Sequence, residues 1–169
     1  MTRDPSGAWS VLAVTLAIQA LVSMAVLTVP AMAPAVAQSL DVSPTLIGLY
    51  IAVVYAGAML ASLMSGPWVL RWGAIRVSQM GLLVCAAGLV LLAAAPGVVS
   101  AVVGAFLIGV GYGPITPASS HLLARTTPPD RVSLVFSIKQ TGVPLGGVMA
   151  GALVAGLLVF GGTGAALVA

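Results

Sequence analysis

Lys139 carries the widest chemical reach of any side chain in this sequence. It lies about two helical turns inside a long apolar stretch, with no acidic residue near it in sequence. An ionisable group at such depth points to a bundle interior or an aqueous path. Facing a cavity, its ammonium offers several donors to a carboxylate or another anion. The alternatives are a long stem reaching back to the interface and a carboxylate partner outside this sequence. Gln140 beside it adds hydrogen-bonding capacity in an adjacent direction.

Other polar residues recur at helical spacing. Thr15, Gln19 and Ser23 project from one face of the first apolar stretch. Such a stripe either lines a cavity or holds helices together through hydrogen bonds worth about 1 kcal/mol. Tyr112, Thr116 and Ser120 follow one direction past Pro114 and Pro117, where they line a path or satisfy carbonyls that the prolines release. His121, one turn before Arg125, suits a pH-sensitive gate or a helix end.

Catalysis and metal binding find little material here. One histidine and three acidic residues, all Asp, form no nucleophile–base–acid array and no pair of carboxylates. No P-loop ending follows the glycine pairs. The single cysteine, Cys85, reads as a small buried hydrophobe. We therefore expect no enzyme, no cofactor and no metal.

The elements that position these residues follow from composition. The chain of 169 residues is 60% hydrophobic and 5% charged, against about 45–50% and 25% in soluble domains. Its basic residues flank apolar runs and form no stripe of the kind that binds nucleic acid. Crossing the hydrocarbon takes roughly 20 helical residues. Spans are expected near 8–29, 45–65, 77–95, 98–123 and 132–160, with the start of a sixth after Gly161-Gly162-Thr163-Gly164. The fold class is thus an all-α membrane protein of five complete transmembrane helices plus a beginning sixth. Ser43-Pro44 and Pro96-Gly97 punctuate the spans, and Trp68 and Trp72 suit the interface. Small-x-small spacing in Ala31–Gln38 supports a competing signal-peptide reading, against which stand the length of the run and its polar stripe.

Charge orients the bundle. Arg3, Arg71, Arg76, Arg125 and Arg131 fall in alternate connections, while the others hold Asp41 or no charge, so the N-terminus is expected in the cytoplasm. Gly142 with Gly146, and Gly147 with Gly151, offer two adjacent small faces for helix packing.

Three segments carry a family resemblance. Gly66-Pro67-Trp68-Val69-Leu70-Arg71-Trp72-Gly73-Ala74-Ile75-Arg76 resembles the loop signature of the major facilitator superfamily. Gly66, Arg71, Gly73 and Arg76 match, and Leu70 stands where an acidic residue is expected. The segment from Gly109 to Arg131 is similar to the fourth span and its loop, with Ala105 where many proton-linked drug exporters carry arginine. Phe136-Ser137-Ile138-Lys139-Gln140-Thr141-Gly142-Val143-Pro144-Leu145-Gly146-Gly147 is similar to span five of bacterial members, anion carriers among them.

The resemblance implies the N-terminal half of a transporter, making 1–169 an incomplete transmembrane domain in a bacterial inner membrane. It further implies two six-helix halves with solute bound between them and alternating access. Spans one and four would face the cavity, spans two and five the other half, and span three the periphery. Gln19, Tyr112, Lys139 and Gln140 would touch the pathway, and Arg71 and Arg76 would influence closure. Partners would be the bilayer, a small solute, and the C-terminal half or another membrane chain. The alternative is a truncated interaction or assembly subunit that does not transport.

Single cysteines replacing Arg71 and Arg131 are expected to react with an impermeant reagent from the same side of a sealed vesicle; opposite sides would overturn the orientation.

Overall fold

The computed structural model describes residues 5–34, 38, 43, 46–95 and 97–168, with side chains placed at 8–34, 38, 43, 46–95 and 97–156. Arg3, Asp41 and Pro44 lie outside the described residues, as does Pro96. Within them the helices are α1 (Pro5–Ala31), α2 (Leu46–Trp72), α3 (Ala74–Ala94), α4 (Val98–Tyr112), α5 (Ile115–Thr126), α6 (Val132–Gln140) and α7 (Gly142–Val168). A short 3-10 turn, Pro129–Arg131, leads into α6. Ala8–Ala31, Leu46–Trp72, Ala74–Ala94 and Val98–Thr126 are each long and apolar enough to cross a membrane. The fifth span is built from α6 and α7.

Helices run further than hydropathy suggested. The expected connection at 66–76 is almost entirely helical, because hydropathy marks hydrocarbon and not the end of a helix. Gly73 alone separates α2 from α3, and its φ of 83° lies in the left-handed region that glycine enters without a Cβ clash. Nor does Gly161–Gly164 interrupt the chain: α7 is continuous to Val168, and no break sets off a sixth element there. Glycine in an apolar run stays helical because the helix satisfies its backbone internally.

Packing divides into two groups. α1 lies most extensively against α7, while α4 lies against both α2 and α3; α1 also meets every other α-helix. The approach of α4 to α2 is close enough to require glycine. A Cβ on Gly109 would overlap the Val54 carbonyl, and one on Gly113 would sit 3.0 Å from the Ala58 Cα. The cluster of Val22, Val26, Tyr50, Val54, Ala105 and Ile108 fills the space between these helices. Cys85 is 2% exposed and donates to the Ile108 carbonyl at 3.4 Å.

The helix of the fourth span is interrupted at Gly113–Pro114, between α4 and α5. Pro117 has no N–H for the Gly113 carbonyl. That carbonyl accepts instead from the Ser62 hydroxyl of α2, at 2.8 Å. Thus a side chain of one helix repairs the backbone of another.

Ser62→Ala is expected to lower stability in detergent by about 1 kcal/mol. The loss should shrink in a Pro117→Ala background, where an N–H returns; chemical denaturation of the four proteins checks the cycle, and equal losses would reject the assignment.

Candidate functional site

Polar groups converge where α1 passes the interruption of the fourth span. Thr15, Gln19 and Ser23 are 2%, 0% and 2% exposed, so the whole stripe faces inward. Thr15 spends its hydroxyl on its own helix, donating to the carbonyls of Val11 and Leu12. Gln19 turns outward to neighbours: its Nε2 donates to Ser23 Oγ at 3.5 Å, and its Oε1 accepts from Thr116 Oγ1 at 3.4 Å. The Tyr112 hydroxyl lies within hydrogen-bonding reach of both Ser23 and Gln19. Two spans therefore share one seam, in which Thr116 remains exposed. Ser119 is occupied locally, donating to Ile115 and Thr116 carbonyls.

Lys139 lies on the chain segment that leads into the contact of Gly142 with Gln19. It stands in the last turn of α6, before a one-residue interruption at Thr141 that precedes α7. Thr141 closes that interruption by donating its hydroxyl to the Ile138 carbonyl at 2.7 Å. Pro144, which has no N–H for the Gln140 carbonyl, follows at once. Lys139 is 2% exposed. It makes no hydrogen bond or ion pair with any described residue. One turn below, Leu12, Leu123 and Val135 form an apolar floor between α1, α5 and α6. Gln140, by contrast, is exposed, so adjacent residues serve opposite faces.

Glycine sets the depth at which these groups meet. A Cβ on Gly142 would fall 3.0 Å from Gln19 Cβ and the Leu16 carbonyl. One on Gly146 would fall 2.6 Å from Ser23 Cβ. Hence α7 rests on the polar stripe of α1, and Lys139 precedes that contact by three residues, across the interruption at Thr141. Gly147 would touch the tip of Leu27 at 3.2 Å, and Gly151 meets open space.

The arginine-bearing end is separate. Gly66 is open, Arg71 in the last turn of α2 lies 5.9 Å from the Trp72 ring, and Trp72 stacks on Trp68. Arg76 sits in the first turn of α3 and is exposed. His121 is also exposed, four residues before Arg125. Ser62 and the interruption at Thr141 were missed in the sequence, although a proline four residues after each orphaned carbonyl marks both places. Among the described residues, no three His, Cys, Asp or Glu side chains form a metal-holding group.

Long apolar helices around an internal polar seam define a multi-pass α-helical membrane protein. The chain belongs to the major facilitator superfamily, whose family model matches residues 12–169. A hexuronate transporter of Bacillus subtilis (strain 168) is 27% identical over 122 residues, covering 72% of this chain and 29% of that protein. The chain thus spans less than a third of that curated relative's length. No solved structure matches it.

Gly146→Val is expected to destabilise the chain by about 1–3 kcal/mol through overpacking against α1. Gly151→Ala should leave the melting temperature in detergent unchanged; equal losses at both positions would contradict the packing described.

Proposed function

We propose that this chain is the N-terminal transmembrane part of a secondary transporter that carries a small organic anion by alternating access. The carrying observation is Lys139: a cation 2% exposed, three residues before the Gly142 contact with Gln19, with no anionic partner among the described residues. An unpaired buried ammonium is costly. A solute carboxylate would offset that cost at the moment of binding, and this is differential affinity of the kind that biases a conformational equilibrium.

The neighbours suit a hydroxylated anion. Gln19 supplies both a donor and an acceptor, Tyr112 and Thr116 supply hydroxyls, and all three can exchange their mutual hydrogen bonds for bonds to a solute. The name of the Bacillus relative, a hexuronate transporter, supports a sugar-acid class. Gln140, exposed on α6, would meet solute only where another domain closes over it. Arg71 and Arg76, either side of Gly73, would govern closure at the opposite depth. We place the protein in a bacterial inner membrane with the arginine-bearing end in the cytoplasm, following the charge asymmetry. The missing partner would be a C-terminal half or another membrane chain.

A second reading, a membrane assembly subunit without transport, is favoured by the open faces at Gly48 and Gly151. Its discriminator is the length of the native product together with substrate-dependent flux.

In the native full-length protein, Lys139→Ala is expected to reduce uptake of a labelled hexuronate by roughly 10–100-fold, the scale of one lost charge-assisted hydrogen bond. Lys139→Arg should retain part of the activity. Reconstituted vesicles with a neutral hexose as control give the measurement; undiminished uptake by Lys139→Ala would sink the role of Lys139.

A further inference from the structure

We propose that the arginine-bearing end of the bundle holds a second anion site, a cavity that takes a phosphate group from a lipid headgroup or from a soluble phosphate. The cavity has a volume of ≈ 370 Å³ and lies between the ends of α2, α3 and α5. Val69, Leu70 and Leu122 form its apolar walls, while His121, Arg125 and Thr126 supply the polar ones, the Thr126 hydroxyl donating to the Leu122 carbonyl at 3.1 Å. Gly73 and Ala74 complete the wall at the start of α3, where no side chain caps the first turn. Uncapped N–H groups at a helix start add partial positive charge to the two basic side chains.

The charge around this cavity is not compensated from within. Asp130 is the acidic residue among the described ones, and it is paired with Arg131 at 3.6 Å. Leu70 lines the cavity with an apolar side chain, 80% exposed, and brings no carboxylate to it. Arg125 in the last turn of α5 also suits the carbonyl end of its helix. That preference does not account for His121 one turn earlier, nor for the opening onto α3. Apolar walls beneath a basic rim match the junction of a phosphate headgroup and its acyl chains. The nearby Trp68–Trp72 stack belongs to the same interfacial level.

The test is native mass spectrometry of the delipidated full chain, titrated with phosphatidylglycerol, phosphatidylcholine or inorganic phosphate. Saturable retention of phosphatidylglycerol over phosphatidylcholine is expected. Arg125→Gln should weaken it about fivefold, the scale of one basic side chain at a charged surface. Arg125→Lys should restore it, which separates charge from misfolding. Arg131→Gln removes the same charge outside the cavity and should leave binding unchanged. Competition by inorganic phosphate would assign the soluble source, and its absence the lipid. Equal loss in Arg125→Gln and Arg131→Gln, or no preference for the anionic lipid, would overturn the proposal, whatever the outcome for transport.

Discussion

Backbone amides in hydrocarbon have no water to bond, and this constraint shapes every feature of the bundle. Helices satisfy the demand within themselves except where proline removes a donor. The fourth span meets such a gap at Pro117, and the Ser62 hydroxyl of α2 closes it through the Gly113 carbonyl. For that hydroxyl to reach, α2 and α4 must nearly touch, and the glycines at 109 and 113 allow it. A backbone requirement in one span thereby fixes the side-chain size permitted in another.

Close approach has a second effect, since it leaves little room for lipid or water between helices. Polar side chains caught there must find each other. Gln19 does so with Ser23 and Thr116, at the 3.4–3.5 Å edge of hydrogen bonding. Bonds of that length hold the seam in register yet are readily exchanged for better ones. Lys139, like the buried Tyr50 hydroxyl, finds no such neighbour among the described residues. On the proposed reading its burial would turn a structural expense into selectivity, because an anion would relieve it and a neutral solute would not.

Much of this was readable in the residues themselves. The four-residue recurrence of Thr15, Gln19 and Ser23 places them on one helix face whatever the helix packs against, and that face is buried. Gly142 and Gly146 press on the inner stripe of α1, whereas Gly147 reaches only the tip of Leu27 on that helix and Gly151 meets open space, since a rotation of one residue carries a side chain about 100° around the axis. For the same reason Lys139 and Gln140 part company. Hydropathy could not locate the end of α2, because Gly66–Trp72 continues the helix with residues suited to the interface. Ser62 escaped notice because its partner lies 51 residues away, and sequence periodicity contains no information on contacts between helices.

The two interrupted spans give the seam its mechanical setting. Gly113–Pro114 adjoins Tyr112 and Thr116, while Thr141 adjoins Lys139 and Gly142. Gln19 touches both sides, bonding Thr116 and packing on Gly142, so the two interruptions lie at one depth on either side of an unbroken α1. On the proposed reading, a solute spanning Lys139 and Tyr112 also spans both interruptions. Its binding energy would then act on the angles between α4 and α5 and between α6 and α7, with α1 as the rigid reference. A lysine in the middle of an unbroken helix would bind the same charge without that leverage.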